Sequence, residues 1–260
     1  MKPDTPGLWT YPRWIAHRGA GNLAPENTLA AFRVGASYGY RMFECDVKLS
    51  ADDVPFLLHD ATLERTTNAK IALSSVHGQS TVGGEHTWGT LALLDAGSWH
   101  SRGYVGEPLP TFEAVARYCL QNDYCLNIEI KATPDTEFHT GEVVARNAAR
   151  LWQGATVLPL LTSFSVPSLE GARSAQPELP RGLLLETLWT GWLETALRLG
   201  CVAIVCDHEL WDSYSVAQAK AAGLRTLSYV VNDERAARRL IDLGTDGIIT
   251  DRVDLFTPSA

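Results

Sequence analysis

His17 and Arg18 stand side by side near the start of the chain, and Glu44-Cys45-Asp46, His59-Asp60 and Asn127-Ile128-Glu129-Ile130-Lys131 follow at wide spacing. In an extended segment side chains alternate between faces, so Glu44 and Asp46 share one side while Cys45 turns to the other. Glu129 and Lys131 repeat that geometry. Three carboxylates gathered inside an apolar frame repel one another and lose hydration unless a cation or protons neutralise them. A hard divalent ion would do so, and oxygen-only ligands select Mg²⁺, with Ca²⁺ or Mn²⁺ as alternatives, over zinc. Glu44, Asp46, Glu129 and Lys131 would equally make a salt-bridge layer, and spacing alone leaves both readings open.

Taken singly, His17 and His59 each read as a packed core histidine. Together, beside an arginine and three acids, they suit proton transfer near neutral pH. Arg18 offers a planar fork that matches two phosphate oxygens and Lys131 a point charge, although either could bridge a carboxylate instead. His77, His86, His100, His139 and His208 lack carboxylate company of this kind and read as solvated or loop residues. The tryptophans read mostly as packing, with Trp99 placed to cover a small polyol.

These side chains need a frame. In the C-terminal half a unit recurs: an apolar run, a polar turn, an amphipathic stretch and a closing glycine, at Gly200, Gly223 and Gly244. Strand candidates follow each closure, Val202 to Cys206, Thr226 to Val231 and Gly247 to Thr250. Trp14 to Ala16, Met42 to Val47, Leu126 to Ile130, Leu158 to Leu161 and Leu183 to Leu185 supply the others. About eight β-segments alternating with helices predict an α/β fold, a parallel (β/α)₈ TIM barrel, whose reactive residues gather where strands end. A doubly wound open sheet fits the alternation too, but no Gly-rich phosphate loop follows the first strand. Residues 60 to 108, rich in Gly, Ser, Thr and His, read as a small insertion after the second strand region, with a short helix near Leu91 to Leu94. Asn27 or Thr28, Asp212 or Ser213, and Asn232 or Asp233 are the expected helix caps.

The 260 residues, 45% hydrophobic and 20% charged, suffice for one such barrel spanning the whole chain as a single domain. A net charge of -8 with scattered Lys and Arg argues against nucleic acid, and an acidic protein that handles phosphate needs a local cationic site. No signal-peptide run precedes Arg13 and no stretch approaches a membrane span, so no stable membrane association is expected. Cysteines 45, 119, 125, 201 and 206 form no C-x-x-C pair and read as reduced core thiols, which favours the cytoplasm.

His17-Arg18-Gly19, Pro25-Glu26-Asn27-Thr28, Glu44-Cys45-Asp46, His59-Asp60, Leu63-Glu64-Arg65-Thr66-Thr67, Asn127 to Lys131, Val231-Asn232-Asp233 and Asp246 to Asp251 together resemble the glycerophosphodiester phosphodiesterase family, from Ile15 to about Asp251. Leu94 to Trp99 and Leu179 to Leu185 are similar to its cytosolic bacterial members, those paired with glycerol phosphate uptake. The resemblance implies Glu44, Asp46 and Glu129 on a divalent metal, His17 and His59 as acid and base, and Arg18 and Lys131 on phosphate. It implies a small-molecule glycerophosphodiester as partner, cleaved to sn-glycerol 3-phosphate and an alcohol. Where the family usually has Trp-Thr-Val-Asn, this chain has Tyr229-Val230-Val231-Asn232, so Tyr229 would supply the aromatic face toward substrate. A lysophospholipase D-like activity or a phosphate-binding barrel without turnover are the rival expectations. Because the binding chemistry falls on the glycerol phosphate half, indifference to the alcohol, within about tenfold, is expected.

Overall fold

The computed structural model describes residues 9–73 and 80–258. His77 and the first residues of the N-terminal segment lie outside that range. The apolar runs become strands because their β-branched and aliphatic residues pack on both faces of a sheet, as buried parallel strands require. They are β1 (Trp14–Ala16), β2 (Met42–Leu49), β3 (Pro55–Leu57), β4 (Cys125–Ile130), β5 (Leu160–Ser163), β6 (Arg181–Leu185), β7 (Ala203–Asp207), β8 (Arg225–Tyr229) and β9 (Gly247–Thr250). All but β3 are parallel, in the circular order β1-β2-β4-β5-β6-β7-β8-β9. Pairing of β1 with both β2 and β9 closes the expected eight-stranded barrel. β3 was not anticipated. It runs antiparallel beside the far end of β2, with Val47 opposite Leu57, and takes over that edge beyond the end of β1.

The helices are α1 (Leu29–Ser37), α2 (Ala69–Ala72), α3 (Trp88–Leu91), α4 (Phe112–Gln121), α5 (Glu137–Leu151), α6 (Val166–Ala175), α7 (Trp192–Arg198), α8 (Ser213–Ala221) and α9 (Glu234–Leu243). Thr28, Asp212 and Asp233 cap α1, α8 and α9, each accepting a backbone N–H from inside the first turn. Gly244 ends α9 at φ +76, a left-handed conformation that costs glycine little.

The barrel interior is filled by Ile15, Met42, Leu160, Leu184, Val205 and Leu227, all essentially out of water, so the barrel is a packed plug below its mouth. Helices cover the outside, where Cys45 lies with Phe32, Phe43 and Val115. The five cysteines are unpaired, four of them buried. The insertion packs a separate small core against β3 and the residue after it, in which Phe56, Leu58, Leu63, Leu91 and Leu94 meet. Its short helix lies at Trp88–Leu91, three residues earlier than the sequence suggests, and Asp95 braces the next turn by accepting the N–H groups of Gly97, Ser98 and Gly106.

Candidate active site

All eight of the singled-out residues reach the C-terminal mouth of the barrel. His17 and Arg18 follow β1; Glu44 and Asp46 lie on β2, Glu129 on β4 and Tyr229 at the end of β8. Lys131 immediately follows β4, and His59 follows β3. The register sets Asp46 directly opposite Glu129. Oxygens of Glu44, Asp46 and Glu129 lie within 4.8 Å of one another, a spacing that one cation can span. Glu44 Oε1 and Asp46 Oδ1 are buried without a hydrogen-bond partner, and Glu129 Oε1 faces the Lys131 ammonium at 2.7 Å. Such oxygens are costly to strand unless a ligand satisfies them.

Their protonation follows from this crowding. Burial, then the charges of Asp46 and Glu129, raises the Glu44 carboxyl well above its ordinary value. Burial and Asp46 push Glu129 up to about 7 despite Lys131. Asp46 goes the other way. Burial works against its charge, but Arg18, Lys131 and His59 outweigh it, and the Asn27 amide donates to Oδ2 at 2.7 Å.

Arg18 is held in the left-handed region at φ +50, a position that costs a non-glycine residue about 1–3 kcal/mol and marks a constrained site. That backbone aims its N–H at Glu44 Oε2, 3.0 Å away, while the guanidinium reaches Glu26 at 2.9 Å. Its buried Nε lies 3.3 Å from Asp46 but makes no hydrogen bond, leaving a donor for an anion. Asn27 is left-handed too, at φ +58, and clasps β2 from both sides, accepting the Asp46 N–H as well as donating to its carboxylate.

Each histidine is anchored through one nitrogen. His17 Nδ1 meets Asp251 at 2.6 Å, with Nε2 toward Glu44 at 3.8 Å; His59 Nδ1 meets Asp60 at 2.8 Å. A side chain on Gly21, at φ +55, would collide with the Asp251 backbone, so glycine permits the approach that puts Asp251 under His17. Burial lowers the His59 pKa, and Arg18 and Lys131 add to the effect against Asp46. Arg65 bonds both Glu26 and Asp60, joining the β1–α1 loop to the insertion, and its hydrogen bonds hold Asp60 far below the usual carboxylate range.

His17, Arg18, Glu44, His59, Glu129 and Lys131 line a cavity of about 420 Å³. Tyr229 is there, its hydroxyl donating to Leu185 O, and its ring meets Phe164 edge-on with centroids 5.7 Å apart. Trp99 is not. Its indole N–H is spent on Ala96 O and its ring packs against His100, so Phe164, which has no motif around it, takes the place expected for Trp99. Sequence reasoning also gave no role to Asp251, Arg65, Glu186 or Asp207. Asp251, Arg65 and Glu26 sit in motifs quoted above, but Arg65 meets Glu26 across 39 residues and Asp251 meets His17 across 234. Lys48, the next residue after Asp46 on the inner face of β2, was missed as well; burial lowers its pKa to about 8.

A (β/α)₈ barrel with an acidic pocket, two cations and two carboxylate-anchored histidines at its C-terminal mouth has the make-up of a barrel hydrolase acting on phosphate esters. The model of the glycerophosphoryl diester phosphodiesterase family matches residues 17–255, and the chain belongs to that family. It is a phosphodiesterase. It is 30% identical to a glycerophosphodiester phosphodiesterase of Bacillus subtilis over 93% of this chain and 84% of the relative. Among solved structures, an Oleispira antarctica phosphodiesterase in complex with the product sn-glycerol-3-phosphate superposes with a TM-score of 0.82 at 30% identity, covering 93% of each chain. A glycerophosphodiester phosphodiesterase from Agrobacterium tumefaciens gives 0.78 at 27%, covering 95% of this chain and all of the other. Among the described residues no helix is long and apolar enough to cross a membrane.

Proposed function

We propose that the protein hydrolyses glycerophosphodiesters, glycerophosphocholine and glycerophosphoethanolamine among them, to sn-glycerol 3-phosphate and an alcohol. Its family and the product held by the Oleispira antarctica relative support the substrate class. The observation that carries the chemistry is the set of buried carboxylate oxygens left without hydrogen bonds, two of them, on Glu44 and Glu129, belonging to residues that line the same cavity as two anchored imidazoles. Glu44, Asp46 and Glu129 would hold a divalent cation, and Mg²⁺ fits an all-oxygen set of this size, as do Ca²⁺ and Mn²⁺. Bound there, such a cation would supply charge withdrawal from the phosphate.

Arg18 and Lys131 take the phosphate oxygens, Arg18 through the Nε that makes no hydrogen bond within the protein. His17 and His59, each fixed through Nδ1, present Nε2 to the cavity. One takes the proton of the attacking oxygen and the other gives a proton to the departing alcohol. Tyr229 walls the substrate on the side of β8. The five unpaired thiols support work in the reducing cytoplasm. Substituting His17→Ala or His59→Ala should lower kcat by about 10²-fold or more, with metal content and thermal midpoint kept. An alanine variant that releases glycerol 3-phosphate at the wild-type rate would return that histidine to packing.

A further inference from the structure

We propose that the cavity selects diesters whose departing alcohol carries a positive charge, and that Glu186 and Asp207 impose the selection; this rests on the hydrolase reading above. The registers Leu185 to Cys206 and Asp207 to Tyr229 place Glu186, Asp207 and Tyr229 in one row at the mouth, across β6, β7 and β8. In the closed order of strands β7 lies four strands from β2 in either direction, diametrically across the mouth. All three side chains line the same cavity as His17, Arg18 and Lys131. That cavity is a ligand site on independent grounds, since Glu44, 2% exposed, turns an unpartnered oxygen into it.

The two sides of the cavity differ in charge balance. At the β2 side Arg18 and Lys131 face three carboxylates, and the divalent cation those acids would hold turns that side net positive. At the β7 side neither Glu186 nor Asp207 has a Lys or Arg ion-pair partner among the described residues, and Asp207 accepts only the Glu209 N–H. Both carboxylates act on the Tyr229 hydroxyl, raising its pKa after burial has done so. Two uncompensated negative charges beside an aromatic corner lack one component, a cation. The Phe164 face already carries the Lys131 ammonium 5.7 Å from its centroid, which leaves Tyr229 as the ring for the ligand. A diester with phosphate at one end and an ammonium at the other fits this division; a neutral polyol leaves the second pole unmatched. The sequence expectation left the alcohols free to differ by up to about tenfold; the proposal gives that difference a direction, in favour of the cationic alcohols. Glu186 and Asp207 sit at ordinary strand ends with no motif, and only the barrel sets them side by side.

Glu186 is exposed, so solvent moderates the effect. Wild-type kcat/KM for glycerophosphocholine and glycerophosphoethanolamine should exceed that for glycerophosphoglycerol by about tenfold, equivalent to about 1.4 kcal/mol. In the double variant Glu186→Gln/Asp207→Asn the ratio should fall to within about threefold of one. On the wild-type enzyme, choline should inhibit at lower concentration than its neutral isostere 3,3-dimethylbutan-1-ol, a comparison that needs no variant to fold. A wild-type ratio near one with glycerophosphoglycerol readily turned over overturns the selection while leaving the hydrolase reading intact. An equal loss on all three substrates in the double variant overturns it too, since the carboxylates would then be binding the shared glycerol. Failure to turn over any of the diesters removes the hydrolase reading and this one with it.

Discussion

Asn27 illustrates how the site works one residue at a time. It contributes no ligand oxygen to the acidic cluster, yet it fixes the Asp46 carboxylate and its backbone in one clasp. Partners of this kind typically carry 10–100-fold in metal affinity, so Asn27→Ala should weaken Mg²⁺ binding by about that factor, as read by calorimetry. Glu129→Gln, which removes a direct oxygen, should cost at least as much. Unchanged affinity in both variants would mean that the acids form only a salt-bridge layer with Arg18 and Lys131. The acids, both histidines and both cations were legible because each is a chemically distinctive type at a strand end. Their supports were not. Asp251 under His17 and Arg65 between Glu26 and Asp60 become partners only when distant loops converge on the mouth.

Among the elements, α5 and α6 come into backbone contact. A side chain on Gly141 would overlap the Ser168 carbonyl, and one on Gly171 the Phe138 carbonyl, so the two backbones touch through paired glycines. Gly171→Ala should force the helices apart and destabilise the fold by about 2–3 kcal/mol, measurable by urea unfolding. A change under about 0.5 kcal/mol would show that the contact yields freely. The eight barrel strands were legible from apolar runs between glycine closures, but their ends shifted: Leu158 precedes β5 and Val231 lies beyond β8. β3 escaped notice because three residues, one of them proline, carry no period. Nor could the insertion's small core be read from a stretch with weak periodicity, since Phe56, Leu63 and Leu94 meet only through its turns.

For the molecule as a whole, the acidic mouth is a store of strain that a cation would relieve. Glu44 and Glu129 have folded pKa values raised above the ordinary 4.5, Glu129 to about 7. Between those values the native state binds more protons than the unfolded chain, so metal-free stability should fall as pH rises from about 5 to 7.5. Asp46, Asp60 and Asp251 are depressed from 3.8, and the stability they contribute is lost only at more acid pH. His59, held below 6.5, opposes the trend as one partly exposed group against two buried ones. Mg²⁺ binding displaces the protons, so its stabilisation should grow with pH across the same window. Thermal midpoints with and without Mg²⁺ at pH 5, 6 and 7.5 check this; a gap that narrows with pH would contradict it.

The proposed chemistry has buried acids that would hold a divalent cation and two anchored histidines acting together on a glycerophosphodiester. It is tested most directly by glycerol 3-phosphate release from glycerophosphocholine, using protein stripped by chelator and then titrated with Mg²⁺. Release should be lost on stripping and recover in step with occupancy of one site per chain. Full release in excess chelator, or no glycerol 3-phosphate release once the site is refilled with Mg²⁺, would contradict it.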